Sequence, residues 1–234
     1  MKLHNSIETI FDKSDNPFIN DTWTIHEQDA GASFKTVIIR DIAPKSYSID
    51  SDLYRNKFQK VFDNSTTLND NDCDGCAIIH FNEKKYILLV EMKSKFDTAK
   101  ISKAYKQALT TLLKNLMLFS LCDGYNINEY DVSILIACLP PSDDQKVWLK
   151  HNYMQMQNSQ TCIQQDCCFA TRLYIEEEIN TKMRDITFFS TCTFATPIND
   201  LNIHVKMKKP TTVNDTQLGL YINDLAWKLH MSFS

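Results

Sequence analysis

From Ile101 to Phe119 the apolar residues Ile101, Ala104, Tyr105, Ala108, Leu112, Leu116 and Phe119 recur at spacings of three and four, the interval that stacks side chains on one face of an α-helix. The pattern predicts a helix over Thr98–Leu121, its apolar stripe turned to a sheet and Lys100, Lys103, Gln107 and Lys114 lined up on the other side. Around it the pattern changes to short apolar runs. Phe34–Ile42 (FKTVIIRDI), Cys76–Phe81, Tyr86–Lys93 and Tyr130–Leu139 are rich in β-branched and aliphatic residues and predict strands. The polar stretch NEKK joins the second of these to the third. Ser6–Asp12 predicts a short helix followed by polar irregular chain as far as residue 30. Asp52–Phe62, with Leu53, Phe58, Val61 and Phe62 behind the capping candidates Asp50 and Ser51, predicts another helix. The order strand, helix, strand, strand, helix, strand indicates an α/β protein, with a mixed central sheet flanked by helices.

Beyond Pro140 and Pro141 the pattern predicts helices over Asp143–Met154 and Arg172–Asn180, strands over Ile186–Thr193 and Asn202–Met207, and a closing helix over Leu218–Leu229. The 234 residues, 43% hydrophobic, are enough for one sizeable core. Four glycines and six prolines leave no stretch that reads as a linker. The expectation is a single domain over 1–234, with an N-terminal extension (1–33), a core (34–140) and a C-terminal α+β elaboration (141–234). No run approaches the roughly 18 apolar residues of a membrane span, and MKLHNSIETIFDKSD lacks the apolar centre of a signal peptide. A cytoplasmic protein is therefore expected, and its eight scattered cysteines are read as mostly reduced.

Candidate chemistry comes from YILLVEMKSK, at 86–95. A run that buries itself in a sheet ends in Glu91 and Lys93, which alternation puts on one face of the strand. The preceding strand starts at Asp74-Gly75, a pair that by itself has the look of a turn. In a hairpin the start of one strand lies beside the end of the next, so Asp74 meets Glu91 across the ladder. Two carboxylates at a strand edge suit a hard divalent cation such as Mg²⁺, and a lysine beside it can act on a water or on phosphate charge.

DGCAII (74–79), VEMK (90–93) and the helix bearing Gln107 resemble the PD-(D/E)XK nuclease superfamily over roughly residues 35–139. The resemblance implies a restriction-endonuclease-like fold and Mg²⁺- or Mn²⁺-dependent phosphodiester hydrolysis. Asp74 and Glu91 would be metal ligands, the Met92 carbonyl a third, Lys93 the catalytic lysine and Gln107 its support. Cys73 stands where the family has proline. For the acid that many members carry on an upstream helix the candidate is Asp52, whose alternative role is to favour the positive end of its helix dipole.

Lys95, Lys100, Lys103 and Lys114 are the candidate nucleic-acid contacts, although helix lysines are also a common solvated face. With 25 basic and 29 acidic residues the chain carries a net charge of -4, so no global basic field advertises nucleic acid. That charge suggests substrate gripped by a homo-oligomer or delivered by a partner helicase or ATPase. Cys73 and Cys76 have zinc-ligand spacing but no second pair follows, and neither a P-loop nor GxGxxG is present. The expectation is a nuclease acting on DNA in preference to RNA, in restriction, repair or antiphage defence. The alternative is a catalytically idle nuclease-like module that binds nucleic acid or a protein partner.

Overall fold

The computed structural model describes residues 2–11, 18–27, 29–49, 72–81, 83–158, 165–186, 194–211 and 214–225. A short helix, α1 (Lys2–Phe11), precedes strands β1 (Asp21–His26), β2 (Thr36–Ile42) and β3 (Tyr47–Ile49). Strands β4 (Gly75–Phe81) and β5 (Lys84–Lys93) lead into helix α2 (Thr98–Phe119) and strand β6 (Tyr130–Cys138). Then come α3 (Asp143–Asn158), α4 (Gln165–Glu176), β7 (Glu178–Lys182), α5 (Thr196–Asn199), β8 (Asn202–Lys208), β9 (Gln217–Tyr221) and α6 (Ile222–Leu225). Among the described residues no helix is long and apolar enough to cross a membrane.

Six strands form a mixed central sheet in the order β3-β4-β5-β6-β8-β7. β3, β4 and β5 are an antiparallel meander, whereas β6 runs parallel to β5 and β8 parallel to β6. A parallel neighbour needs a crossover, and α2 supplies it between β5 and β6. Asp97 caps that helix, its carboxylate accepting the Lys100 N–H at 3.1 Å.

Both faces of the sheet are covered. Ile87 and Leu89 pack under α2, while Leu88, Val90 and Met92 pack on the other face, which is why β5 reads as an unbroken apolar run. A second sheet, in the order β1-β2-β9, covers that other face, with Trp23, Ile25, Val37, Ile39, Leu218 and Leu220 set against Ala77, Ile79 and Leu135. At Gly75 the two sheets approach closely. A Cβ there would lie 3.0 Å from Ile25 and 3.1 Å from Trp23, so the glycine opens a strand by allowing close approach and does not make a turn.

Several expectations change. Residues 21–26 are a strand and not irregular chain, because Trp23 and Ile25 alternate into the inter-sheet core. Thr36–Ile42 belongs to the second sheet, not the central one. The helix expected to run to Asn180 stops at Glu176, since Glu177 takes a positive φ of 61° and its N–H closes on the Leu173 carbonyl at 3.0 Å; the chain then turns into β7. Residues 217–221 are a strand beside β2 and Ile222–Leu225 are helical, while the rest of the expected helix, 226–229, lies outside the described residues. Of the strand expected over Ile186–Thr193, only Ile186 is described, and it follows a 3₁₀ turn at Met183–Asp185. The helix expected at Asp52–Phe62, and Asp52 with it, lies outside the described residues.

Candidate active site

Alternation along β5 continues the α2-facing side from Leu89 through Glu91 to Lys93. Gly75 faces Val90 in the antiparallel ladder, so one step outward sets Asp74 beside Glu91. Backbone pairing with β4 ends there and a side chain takes over, Asp74 Oδ2 accepting the Met92 N–H at 2.6 Å.

Glu91 is 2% exposed. Its Oε1 accepts a hydrogen bond from the Lys93 ammonium, whereas its Oε2 is buried with no hydrogen-bond partner. Burial, and then the neighbouring Asp74 carboxylate, push the Glu91 pKa up to about 8, against the lowering pull of Lys93. The Lys93 ammonium also donates to Gln107 Oε1 at 3.2 Å, which ties the strand end to α2. Asp74, Glu91, Met92, Lys93 and Gln107 all line one open cleft of about 810 Å³.

The donors fit a hard cation. Two carboxylates converge, and a buried oxygen with no partner is the kind of atom that a bound ion satisfies. Mg²⁺ takes one or two carboxylates and keeps several waters. Among the described residues no three His, Cys, Asp or Glu side chains are grouped to hold a metal ion, so a cation at the two carboxylates would complete its shell with backbone oxygen and water. Cys73 and Cys76 are engaged elsewhere: the Cys73 thiol donates to the Gly75 carbonyl at 3.2 Å, and Cys76 Sγ accepts from Asn115 Nδ2 at 3.4 Å. Burial pushes both thiols well above their ordinary range. Cys73, Cys76, Cys122, Cys138 and Cys167 are free, and Cys168 is disulfide-bonded.

The lysines divide. Lys100 and Lys103 are exposed and line the cleft, and Lys95 is exposed in the turn before α2. Lys114 departs from the expected solvated row. It is 8% exposed, and its ammonium lies 2.6 Å from Asp72 Oδ1, because its face of α2 turns to the start of β4 and not to water. Gln107, drawn in the same row, is 5% exposed.

Sequence reading missed Glu27, Asp29 and Asp72, which also line the cleft. Glu27 follows β1 directly and adds to the upward push on the Glu91 pKa. The loop after it is fastened to the end of β5, Ser94 Oγ accepting the Phe34 N–H at 3.0 Å and the Ser94 carbonyl accepting the Ser33 hydroxyl at 3.4 Å. The only signal was the short alternation of Trp23 and Ile25 in DTWTIHE, too brief by itself to mark β1 and the acid at its end. Comparison with known protein families, with curated proteins and with solved structures finds no match to this chain.

Proposed function

We propose that this protein is a metal-dependent nuclease of the PD-(D/E)XK type, hydrolysing phosphodiester bonds in DNA in preference to RNA. The observation that carries the reading is the meeting of Asp74, Glu91, Lys93 and Gln107 in one cleft, with Glu91 Oε2 buried and unanswered. Topology supports the restriction-endonuclease-like assignment: a three-stranded meander, a helix, and a strand parallel to the last strand of the meander.

In this reading Asp74 and Glu91 hold Mg²⁺ or Mn²⁺, joined by the Met92 carbonyl. When bound, the cation supplies Lewis-acid polarisation of the phosphate and a more acidic water. Lys93, anchored by Gln107, orients the attacking water and neutralises charge developing on the phosphate. Lys100 and Lys103, with Lys95 beyond them, contact the phosphate backbone. The carboxylates gathered at the cleft and the net charge of -4 favour substrate delivery by a second copy of the chain or by a partner ATPase or helicase in the cytoplasm.

The test is incubation with plasmid, linear duplex, single-stranded DNA and RNA, with Mg²⁺, Mn²⁺ or chelator. Metal-dependent cleavage is expected. Asp74→Asn and Glu91→Gln should lose metal binding and cleavage together, while Lys93→Met should bind metal in calorimetry and fail to cut. A folded Lys93→Met protein that cuts at the wild-type rate refutes the mechanism. Retention of nucleic acid without cleavage under every metal condition supports the idle binding module instead.

A further inference from the structure

Helix α2 buries polar side chains where a helix lying on a sheet normally buries apolar ones. Gln107, Thr111, Lys114 and Asn115 are buried at helical spacing, so they form one stripe along the helix. Gln107 holds Lys93, as described. Further along, Thr111 Oγ1 accepts the Cys73 N–H at 3.0 Å, and Lys114 Nζ donates to Asp72 Oδ1 at 2.6 Å. The stripe therefore grips β5 at one end and the approach to β4 at the other. Asp74 lies between gripped points, and its own carboxylate is the one that accepts the Met92 N–H.

A buried Lys–Asp pair is a poor choice for stability. Removing two charges from water costs as much as their attraction returns, and well-packed apolar replacements are often neutral or stabilising. What such a pair can supply is direction, because an ion pair with a hydrogen bond fixes two atoms where apolar packing tolerates slippage. Asp72 is two residues from Asp74, so its placement sets where the chain enters β4 and how the Asp74 carboxylate meets β5.

We propose that the Lys114–Asp72 pair is a positioning device that sets the Asp74 carboxylate for its work at the cleft. Lys114 does not line the cleft, although Asp72 does. It acts through Asp72 and the backbone that carries Asp74. The geometric part stands on the contacts above, and the catalytic consequence rests on the nuclease reading.

The test compares Lys114→Arg, Lys114→Met and the apolar pair Asp72→Leu with Lys114→Leu, using ¹⁵N-methionine-labelled protein. The Met92 amide signal, assigned through Met92→Leu, reports the hydrogen bond to Asp74 whether or not metal is present. In Lys114→Met and in the apolar pair that signal should move. Calorimetry with MgCl₂ alone should show Mg²⁺ bound about tenfold more weakly, and kcat should fall while KM for DNA stays unchanged. Lys114→Arg should recover most of both. The apolar pair should melt no lower than wild type, which separates positioning from a merely structural role. A folded variant lacking the ion pair whose Met92 signal and Mg²⁺ affinity equal those of wild type overturns the proposal. If the Met92 signal moves but wild-type protein neither binds Mg²⁺ nor cuts, the positioning stands and the nuclease reading falls.

Discussion

At the residue scale, Glu91 concentrates the conflict between folding and function. A carboxylate with one oxygen unpartnered in the interior costs free energy in the metal-free protein, because its charged form is denied water. Its pKa is raised to about 8, so the folded state holds a proton that the unfolded state has released above the ordinary carboxylate range. Stability therefore falls as pH rises through that window and levels off above about 8. Glu91→Gln removes the charge and keeps the shape, so without metal it should raise stability by on the order of 1–3 kcal/mol at the alkaline end and by little at acidic pH. Thermal melts across this range check the sign. Added Mg²⁺ should raise the melting temperature of wild type and leave Glu91→Gln unmoved.

At the scale of elements, α2 carries two different polar faces, and only one of them is solvated. Lys100 and Lys103 are exposed at the cleft. Replacing both with glutamine should weaken DNA binding and reduce the salt slope, since fewer counterions are released, while stability changes by less than about 0.5 kcal/mol. Fluorescence anisotropy at several salt concentrations measures this, and an unchanged slope would make the two lysines ordinary surface charges. Hydrophobic period made α2, β4, β5 and β6 legible in the sequence, and the strand ends located Asp74, Glu91 and Lys93, whereas Gln107 was singled out only by the family resemblance and was drawn on the face opposite the apolar stripe. It misread Lys114, because a lysine on a helix looks solvated until its partner is known, and Asp72 lies 42 residues away. It also missed β1 and β9. Each carries only two inward apolar residues, DTWTIH and QLGLY, too few to separate an edge strand from loop or helix without its neighbours. Glu27 was hidden for the same reason.

At the scale of the whole molecule, the contact between the two sheets holds the loop carrying Glu27 near the end of β5. Gly75 sits at that contact. Gly75→Ala should force Ile25 and Trp23 outward and destabilise the protein by about 1–3 kcal/mol; chemical denaturation checks this, and a neutral effect would mean that the sheets can separate locally without loss.

The second sheet joins distant parts of the chain, since β9 lies parallel to β2 and adds Leu218 and Leu220 to the core that β1 and β2 share with the central sheet. A chain leaving the ribosome presents Asp74, Glu91 and Lys93 well before residues 217–221 have been made. Pairings this far apart in sequence form late, so the Glu27 side of the cleft reaches its supported form only after residues 217–221 have been made. Nascent chains that stall short of β9 carry Asp74 and Glu91 without the completed cleft around them.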